Sequence, residues 1–260
     1  MTASLDNHVA LVSGGGSGIG AAIARGFSGA GAKVCISGRR EELLRETAIA
    51  IADETGGELF TVAGDVSSPE DCRRMVNETV NRFGALQVLV NNAGLYAGGP
   101  LQESSAETIH SLVDVDLKGP IFLTQAALPE LKKSADLRSS ILNISSSVTF
   151  HPVVGLSVYS AAKAGLEMLT RCWAAELGPD RIRVNAICPG VVRTPIFETL
   201  MPAEEIEGFL APFNDATPLG RIGEPDDVAR LALFLTGPSS EWTTGAVIPL
   251  DGGLSLSSGG

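Results

Sequence analysis

Short runs of β-branched and aliphatic residues recur along the chain, separated by longer amphipathic segments. The apolar runs cover residues 8–13, 33–37, 58–64, 86–92, 139–145, 182–188 and 246–250. Between them, segments such as 41–56 and 69–84 repeat apolar residues with helical periodicity. Strands that are apolar throughout are typical of a sheet covered by helices on both faces. The pattern therefore predicts an α/β fold built on a doubly wound, mainly parallel, seven-stranded sheet.

One stretch departs from this alternation. Residues 190–224 are rich in proline, glycine and acidic side chains, and they are longer than an ordinary connection. Long segments of this kind often carry function, so we expect 190–224 to form a lid over the substrate, the alternative being a plain surface insertion. No repeat or linker divides the rest of the chain, which predicts a single domain over 1–260 with a short polar tail at 254–260.

Composition disfavours several classes of partner. The chain has 260 residues, 44% of them hydrophobic, and a formal net charge of −11. An acidic chain is poorly suited to bind nucleic acid or an anionic membrane surface. The first residues do not combine a basic region with an apolar run, and no apolar stretch approaches the ~20 residues that cross a bilayer.

The cysteines and histidines are scattered. The four cysteines are Cys35, Cys72, Cys172 and Cys188, and none of them forms a CxxC pair. Their spacing indicates reduced thiols instead of a disulfide framework. No group of His, Cys and Asp residues has the spacing of a metal site. We therefore expect a cytoplasmic protein without a bound metal.

A glycine-rich turn joins the first predicted strand to the first predicted helix. Gly14, Gly18 and Gly20 follow a GxxxGxG spacing, with Ser17 and Ile19 between them. Glycines allow a tight turn and a close approach of the backbone, and the amides at a helix N-terminus point towards phosphate. Many strand–helix turns need glycine for geometry alone, but at the first crossover of a doubly wound sheet the turn indicates the pyrophosphate site of a dinucleotide.

The end of the second strand indicates which dinucleotide binds. An acidic residue there would accept hydrogen bonds from the ribose hydroxyls of NAD, but the chain has Gly38 followed by Arg39 and Arg40. Guanidinium groups are suited to a 2′-phosphate, which favours NADP(H) over NAD(H). The alternative is a solvated basic helix start, balanced by Glu41 and Glu42.

Two further strand ends supply polar or small residues. Asp65, followed by Val66, comes after the third strand, and its carboxylate is suited to accept a hydrogen bond from the adenine amino group. The fourth strand ends with Asn92, Ala93 and Gly94, which are small enough to let the backbone approach a ligand.

Tyr159 and Lys163 lie one helical turn apart in an alanine-rich segment. Residues i and i+4 share a helix face, so both side chains point the same way. Taken alone, the pair fits an amphipathic helix whose tyrosine packs and whose lysine reaches water.

Several of these motifs occur together in one family. The chain resembles the short-chain dehydrogenase/reductase family in the glycine turn (14–20), in DV (65–66), NNAG (91–94), ISS (144–146), YSAAK (159–163) and PGVVRT (189–194), and in the segments 218–229 and 250–253. Each motif is modest alone, but their joint order and spacing are specific and extend nearly from end to end. The resemblance implies a Rossmann-like fold and hydride transfer between a nicotinamide cofactor and a ketone or secondary alcohol.

The resemblance also implies roles for three side chains. Ser146, chosen over Ser145 and Ser147 by its distance from Tyr159, would hydrogen-bond the substrate oxygen. Tyr159 would be the general acid in reduction and the base in oxidation. A tyrosine with its ordinary pKa of about 10 is a poor base at neutral pH, and the ammonium group of Lys163 is expected to lower that pKa.

Two positions depart from the family pattern. Ser13 stands where the family more often has threonine, and it keeps the hydroxyl. Asp116 stands where the family usually has asparagine, which helps to hold a water beside the lysine, largely through its main-chain carbonyl. An aspartate preserves the main-chain role, but a nearby negative charge would offset Lys163 and raise the pKa of Tyr159. We therefore count Asp116 among the catalytic positions and expect a more alkaline optimum for oxidation.

Two sets of residues complete the expected site. The resemblance places the nicotinamide half of the cofactor against Tyr159, Lys163, Pro189, Gly190, Val192 and Thr194. The substrate pocket is expected to be lined by Leu95, Tyr96, Ser146, Val148, His151 and Val153, with Ile196, Phe197 and Leu200 from the lid. Most of these residues are apolar, which favours an uncharged or weakly polar substrate of small to medium size. His151 and Tyr96 could instead be an ordinary loop residue and a surface residue.

Two other functions stay open. One is reduction of a 3-oxoacyl group on acyl carrier protein, an acidic partner that the net charge of −11 disfavours, although Arg171, Arg193 and Arg221 could form a basic patch. The other is a nucleotide-binding regulatory protein, which only Asp116 supports. The resemblance further implies a homotetramer or homodimer that pairs through helices including 105–133 and 158–177, with a second interface at 232–238 and 247–253.

Overall fold

The computed structural model describes residues 4–134 and 139–256. Of the tail predicted at 254–260, residues 257–260 lie outside the described residues. Within the described part of the chain, seven strands form one parallel sheet, as the hydrophobic pattern predicted. They are β1 (Val9–Ser13), β2 (Lys33–Gly38), β3 (Leu59–Ala63), β4 (Val88–Asn91), β5 (Ser140–Ile144), β6 (Arg183–Pro189) and β7 (Val247–Leu250). Their order is β3-β2-β1-β4-β5-β6-β7, and every neighbouring pair is parallel. The direction of winding reverses between β1 and β4, and such a reversal opens a crevice at the carboxyl ends of the strands.

Helices cover both faces of the sheet. They are α1 (Gly18–Gly29), α2 (Glu41–Thr55), α3 (Pro69–Phe83), α4 (Ala106–Val113), α5 (Gly119–Lys133), α6 (Ser157–Leu177), α7 (Ala203–Ala216) and α8 (Pro225–Thr236). One buried cluster joins the sheet to α1, α2 and α8, and a second joins it to α3, α5 and α6. Successive residues of β1 belong to different clusters, since Ala10 and Val12 pack in the first and Leu11 packs in the second. This two-sided burial explains why most positions of the strands are apolar.

The predicted helix over 105–133 is continuous but irregular. A turn of π-helix at Asp114–Lys118 joins α4 to α5. Such wide turns occur frequently at functional sites because they redirect a side chain that a regular helix would place elsewhere. Here the turn carries Asp116, which is completely buried and lies against Lys163 of α6.

Residues 190–224 are more ordered than their composition suggested. A short helical turn at Pro195–Thr199 is followed by α7, which contains Pro212. Proline is unfavourable inside a helix, which is why the sequence did not indicate one here. The two ends of the segment meet where Val192 pairs with Gly223 in an isolated parallel bridge. The role of this segment as a lid remains a prediction.

Candidate active site

A cleft of about 630 Å³ opens at the carboxyl ends of the strands. Its lining includes all the residues expected to hold the cofactor: Gly14, Ser17, Gly18, Ile19, Gly20, Arg39, Arg40, Asp65, Val66, Asn92, Ala93, Gly94, Tyr159, Lys163, Pro189, Gly190, Val192 and Thr194. Because parallel strands end at the same edge of the sheet, segments that are far apart in sequence meet in this one place.

The glycine turn leaves no room for side chains. A Cβ at Gly14 would lie 2.8 Å from Asn92 Nδ2, and a Cβ at Gly20 would lie 2.3 Å from the carbonyl oxygen of Gly14. Gly18, with a φ of 54°, begins α1, whose first turn contains no acidic residue. The helix N-terminus therefore offers unopposed N–H groups and a positive dipole end to the cleft. This arrangement fits the pyrophosphate of a dinucleotide.

Ser13 joins β1 to the chain that follows β4. Its hydroxyl donates to the carbonyl oxygen of Val90 at 3.1 Å and accepts from the backbone N–H groups of Asn92 and Ala93 at 3.0 and 3.1 Å. Asn92 Nδ2 donates in return to the carbonyl oxygen of Ser13 at 2.9 Å. All of these side-chain contacts use the hydroxyl that serine shares with threonine, so the departure at this position is mild.

The two arginines at the start of α2 are exposed. Arg40 Nη2 donates to Ser17 Oγ at 3.4 Å, which connects it to the glycine turn. Arg39 makes no hydrogen bond or ion pair with any residue that the structure describes, so its charge is available to a ligand. Asp65 is less available, because its Oδ1 already accepts from the backbone N–H and the hydroxyl of Ser67 at 2.8 and 2.7 Å.

Ser146, Tyr159 and Lys163 come together on one wall of the cleft. Ser146 follows β5, while Tyr159 and Lys163 lie in the first two turns of α6. Lys163 Nζ lies 5.7 Å from the centre of the Tyr159 ring and donates to the carbonyl oxygen of Ile144 at 3.2 Å. The hydroxyl of Ser146 interacts with the Tyr159 phenol closely enough to lower its pKa by hydrogen bonding. We refer to these three residues as the catalytic wall.

Asp116 lies behind the catalytic wall and not in the lining of the cleft. Its Oδ1 lies 3.4 Å from Lys163 Nζ and accepts the N–H of Leu95 at 3.0 Å. Its Oδ2 is buried without a hydrogen-bond partner among the described residues. Gly94 makes room for the pair, since a Cβ there would lie 2.7 Å from Asp116 Oδ1. The aspartate therefore places a carboxyl group directly against the ammonium group.

Burial decides the pKa of Tyr159. Desolvation raises it above its ordinary value, the charge of Lys163 lowers it, and the charge of Asp116 raises it further. Burial also lowers the pKa of Lys163, but the charges of Asp116 and Tyr159 leave it raised overall, so the lysine stays cationic. Lys163 thus lowers the Tyr159 pKa and Asp116 raises it, as expected, but burial outweighs the cation and leaves this pKa raised overall. Sequence reasoning counted the cation but not the loss of water around the phenol.

The substrate half of the cleft contains most of the residues expected there. Leu95, Tyr96, Ser146, Val148, His151, Val153, Ile196 and Phe197 line it. Leu200 does not, because the helical turn at Pro195–Thr199 carries Ile196 and Phe197 into the cleft and ends before Leu200, which stays exposed.

Sequence reasoning also missed residues of the substrate half. Leu156, Phe209 and Phe213 line the cleft. The two phenylalanines belong to α7, where Ile206, Phe209, Leu210 and Phe213 follow the spacing i, i+3, i+4 and i+7. That spacing was the available signal for an amphipathic helix.

Other kinds of site find no support in the described residues. No group of three or more His, Cys, Asp and Glu side chains in residues 4–134 and 139–256 is placed to hold a metal ion. Within the same ranges, no helix has both the length and the apolar character needed to cross a membrane. Cys188 is completely buried, and burial raises the pKa of its thiol, which disfavours a nucleophilic role.

Comparison with known proteins identifies the family. A family model described as "Enoyl-(Acyl carrier protein) reductase" matches residues 14–255. A 3-oxoacyl-[acyl-carrier-protein] reductase from Thermotoga maritima is 36% identical over 250 residues, which cover 96% of this chain and 98% of that protein. The chain belongs to the short-chain dehydrogenase/reductase family.

Further members of the family differ in the substrates for which they are named. The meso-2,3-butanediol dehydrogenase of Serratia marcescens is 34% identical over 254 residues, which cover 98% of this chain and 97% of that protein. A crystal structure of a 3-ketoacyl-(acyl-carrier-protein) reductase from Brucella melitensis, complexed with NADH, superposes with a TM-score of 0.87 at 33% identity, covering 97% of this chain and 100% of that chain.

As a short-chain dehydrogenase/reductase, the protein is an NAD(P)-dependent oxidoreductase that acts on alcohols or ketones. The cofactor of such an enzyme, when bound, supplies or accepts the hydride. The glycine turn and the small residues after β4 fit the dinucleotide, as their packing shows. Family membership therefore establishes the class of reaction, and the substrate depends on the residues of the cleft.

Proposed function

We propose that this enzyme transfers a hydride between NADP(H) and a ketone or secondary alcohol of small to medium size and mostly apolar character. The proposal rests on the catalytic wall, where two hydroxyl groups able to act on a substrate oxygen meet a buried cation. The other side chains that line the cleft near this wall are mainly apolar.

The proposed roles follow from the chemistry of these groups. In reduction, the phenol of Tyr159 donates a proton to the substrate oxygen, while the hydroxyl of Ser146 donates a hydrogen bond to the same oxygen. Lys163, held by the carbonyl oxygen of Ile144, stabilises the tyrosinate that remains. In oxidation, the tyrosinate takes the proton of the alcohol.

A spectrophotometric screen of ketones and alcohols with NADPH and NADH tests the proposal. We expect the wild type to turn over members of the panel. A wild type that binds NADPH but turns over no ketone or alcohol would instead support the alternative of a nucleotide-binding regulatory protein.

The nicotinamide end of the cofactor is proposed to lie beside Pro189, Gly190, Val192 and Thr194. Gly190 packs so closely that a Cβ there would lie 2.9 Å from the Cα of Asp251. Thr194 lies against the glycine turn, since a Cβ at Gly18 would lie 3.2 Å from the Thr194 side chain. This contact supports the proposal that Thr194 and the backbone around Val192 hold the carboxamide.

The free charge of Arg39 supports the preference for NADP(H). Replacing Arg39 by alanine is expected to raise the dissociation constant of NADPH about 10- to 100-fold, because a charged hydrogen bond to phosphate is lost. The dissociation constant of NADH should stay nearly unchanged. Arg45→Ala is the matched control, because Arg45 lies nearby in the first turns of α2 and pairs with Glu42 outside the cleft. Tighter binding of NADH than of NADPH by the wild type would overturn the preference.

Reduction of a carrier-bound 3-oxoacyl group is the second candidate, and the relatives named for that activity favour it. Two of the three arginines that could form a carrier-docking patch are already paired, however, while the exposed Arg171 makes no hydrogen bond or ion pair with any residue that the structure describes. Arg193 pairs with Glu207 and lies 3.5 Å from Glu224, and Arg221 lies 2.7 Å from Asp227. We therefore expect no advantage of a carrier-bound 3-oxoacyl group over the same acyl group on a short free thioester. A higher kcat/KM for the carrier-bound form would favour this second candidate.

A homotetramer or homodimer is proposed as the state in solution. Met168 on α6 and Phe234 on α8 are large apolar side chains that the isolated chain leaves exposed. Burial of such residues between subunits would remove apolar surface from water. Light scattering should give a mass of two or four chains, and a monomer would contradict the proposal.

A further inference from the structure

Three phenylalanine rings of the lid form a row along the cleft. Phe197 lies in the turn at Pro195–Thr199, and Phe209 and Phe213 lie on α7. The ring centres of Phe197 and Phe209 are 5.7 Å apart, and those of Phe209 and Phe213 are 5.5 Å apart. All three residues line the cleft, yet Phe209 is 39% exposed. Aromatic rings that line an open cleft offer contacts that only an apolar occupant can complete.

A fourth ring stands beside the catalytic wall. The ring of Tyr96 meets that of Tyr159 edge to face, with ring centres 5.3 Å apart. Tyr96 also lines the cleft, so its ring offers an aromatic surface to an occupant. A substrate whose oxygen reaches Tyr159 must therefore pass next to the Tyr96 ring.

We infer that the substrate carries an aromatic or cycloaliphatic ring near its reacting carbonyl or alcohol group, and that this ring packs against Tyr96 and the phenylalanines of the lid. The inference rests on the proposed function and names its substrate class. An aromatic ring gains free energy from aromatic pairs beyond the area that it buries. A cycloaliphatic ring loses less conformational freedom on binding than a linear chain of equal carbon number.

The test compares 4-phenylbutan-2-one and 4-cyclohexylbutan-2-one with decan-2-one, three methyl ketones of equal carbon number. The wild type is expected to show a kcat/KM about tenfold higher for the ring-bearing ketones. Phe209→Leu and Phe213→Leu should each lower kcat/KM more for the ring-bearing ketones than for decan-2-one, and so reduce this preference. Phe60→Leu is the control, because Phe60 packs against Phe83 outside the cleft.

Equal kcat/KM values for ring-bearing and linear ketones in the wild type would overturn this inference and leave the proposed function standing. A Phe209→Leu variant that lost activity equally on all three ketones would also overturn it, since the lid would then not recognise the ring. If the wild type reduced none of these ketones and oxidised none of the corresponding alcohols with either cofactor, the proposed function would fail as well.

A second inference concerns a buried carboxylate that no role described above uses. Glu167 lies on α6 one turn after Lys163 and is 6% exposed. It forms no ion pair with a lysine or arginine among the described residues. A buried carboxylate without a cation is costly unless neutral donors satisfy it.

Three neutral groups on two other segments donate to one oxygen of Glu167. Its Oε1 accepts from Ser145 Oγ at 2.8 Å and from Thr149 Oγ1 at 2.6 Å. It also accepts from Cys188 Sγ at 3.4 Å. Cys188 lies near the end of β6, directly before Pro189. One carboxylate therefore ties α6 both to the chain after β5 and to the expected floor of the nicotinamide site.

The donors Ser145 and Thr149 lie on either side of Ser146 in the chain. The Thr149 hydroxyl also lies 2.9 Å from the carbonyl oxygen of Ser146. Ser146 itself has an extended backbone, and apart from its interaction with the Tyr159 phenol its hydroxyl accepts only a long contact, from the N–H of Val148 at 3.5 Å. Its position is thus held mainly by its neighbours, and their side chains are held by Glu167.

We propose that Glu167 is a positioning residue that fixes the Ser146 hydroxyl relative to Tyr159. Tyr159 and Lys163 share α6 with Glu167, so the carboxylate sets the distance between this helix and the loop that carries Ser146. A displacement of about 1 Å at a reacting group can cost about 100-fold in rate.

The test uses two variants of Glu167 together with Ser146→Ala. Glu167→Met has a similar size but no acceptor, and its kcat for ketone reduction is expected to fall about 10- to 100-fold. Glu167→Gln keeps an acceptor oxygen and should retain most of the activity. Dissociation constants for NADPH, measured by fluorescence, should change little in both variants.

The combination with Ser146→Ala separates positioning from general damage to the fold. If Glu167 acts through Ser146, then Glu167→Met lowers kcat much less in the Ser146→Ala background than in the wild type. Thr170→Val is the control, because buried Thr170 on the same helix accepts from Asn143 Nδ2 at 2.8 Å and has no contact with Ser145 or Thr149. Its effect should be the same in both backgrounds.

Full additivity of Glu167→Met and Ser146→Ala would overturn this second inference, as would an unchanged kcat in Glu167→Met. If the Glu167→Met protein does not fold, Glu167→Gln becomes the deciding variant. Its kcat must then stay near the wild-type value for the inference to stand. Absence of ketone reduction in the wild type would contradict the proposed function itself.

Discussion

The catalytic wall and the predicted lid over 190–224 line the same cleft but are held in place by different forces. The wall depends on buried contacts, such as the hydrogen bond from Lys163 to Ile144 and the ion pair of Lys163 with Asp116. The two ends of the predicted lid are joined by a single parallel backbone bridge between Val192 and Gly223. Its charged contacts are ion pairs of exposed side chains such as Arg193.

This difference separates chemistry from specificity. Buried polar contacts act in a low dielectric and hold one geometry, whereas exposed ion pairs contribute little and rearrange easily. The groups proposed to move protons therefore sit in the rigid core. Three of the four rings proposed to recognise the substrate, those of Phe197, Phe209 and Phe213, belong to a segment that can vary without disturbing that core, whereas Tyr96 lies beside the wall. Substitutions in the two regions should therefore have effects that differ in magnitude and in the parameter that they change.

The largest expected effect is at the wall. Tyr159→Phe removes only the phenol oxygen and is expected to lower kcat about 10²- to 10⁴-fold, the usual contribution of a positioned general acid. The dissociation constant of NADPH, measured by fluorescence titration, should stay nearly unchanged. Tyr96→Phe is the matched control, because Tyr96 is the other of the two tyrosines and lines the same cleft. Similar losses in the two variants would remove the distinction between wall and pocket.

The next effect concerns the pH dependence of oxidation. The charge of Asp116 raises the pKa of Tyr159, so Asp116→Asn should lower that pKa and shift the rise of kcat/KM for alcohol oxidation to lower pH. At neutral pH the variant should oxidise alcohols several-fold faster than the wild type. The asparagine can still accept the N–H of Leu95, so the backbone contact is preserved.

The groups that act on the Tyr159 pKa are Lys163, Asp116 and Ser146, and the phenol of Tyr96 lies next to the ring. Burial raises the pKa of Asp116 itself, while Lys163 and the N–H of Leu95 oppose this rise. Superimposable pH–rate profiles for wild type and Asp116→Asn would mean that the carboxyl is neutral where the enzyme works, and the electrostatic role would be excluded.

A smaller effect is expected at the base of the lid, on stability instead of catalysis. Hydrogen bonding from Arg221 lowers the pKa of Asp227 from 3.8 to about 2, and the Asp227 side chain is 18% exposed. A lowered pKa in the folded state stabilises the fold above the unfolded-state pKa and loses this contribution as pH falls towards 2. Asp227→Asn should therefore lower the free energy of unfolding at pH 7 by about 1–2 kcal/mol.

The pH dependence of that loss identifies its cause. The difference in free energy of unfolding between wild type and Asp227→Asn should shrink as the pH falls from about 4 to about 2. Asp226→Asn is the control, since Asp226 lies in the same turn and pairs with Arg25 at the surface. A difference that stayed constant down to pH 2 would point to the cap of α8 instead of the ion pair.

The smallest effect is expected at Arg193. This exposed side chain pairs with Glu207 of α7 and with Glu224, so Arg193→Ala should cost less than about 1 kcal/mol of stability. If the pairs help to hold the lid, KM for the ketone should rise while kcat stays unchanged. Arg73→Ala, which breaks an exposed pair with Glu70 on α3, should leave KM unaffected. A lower kcat in Arg193→Ala would indicate that the lid and the wall are coupled.

The sequence predicted the sheet because burial on both faces requires a run of mainly apolar residues in each strand. Runs such as 182–188 are mainly apolar, apart from Arg183 and Asn185, because both core clusters need side chains from the same strand. The strand β6 (Arg183–Pro189) follows that run closely. The sequence signal for helix α7 was weaker, because Pro212 and several acidic residues obscured the helical spacing of Phe209 and Phe213. Its contribution to the cleft became visible only in the structure.

The sequence by itself determined which residues could form the site, since the glycine turn, Ser146, Tyr159 and Lys163 stand in an order and spacing that belong to one family. Tertiary structure decided how these groups influence one another. It placed the Asp116 carboxyl 3.4 Å from the Lys163 ammonium group, and it surrounded Glu167 with neutral donors. It also made burial, and not the nearby cation, the main influence on the Tyr159 pKa. The reason is physical, because residue identity and spacing are local properties, whereas the dielectric and the charges around a group depend on every element packed against it.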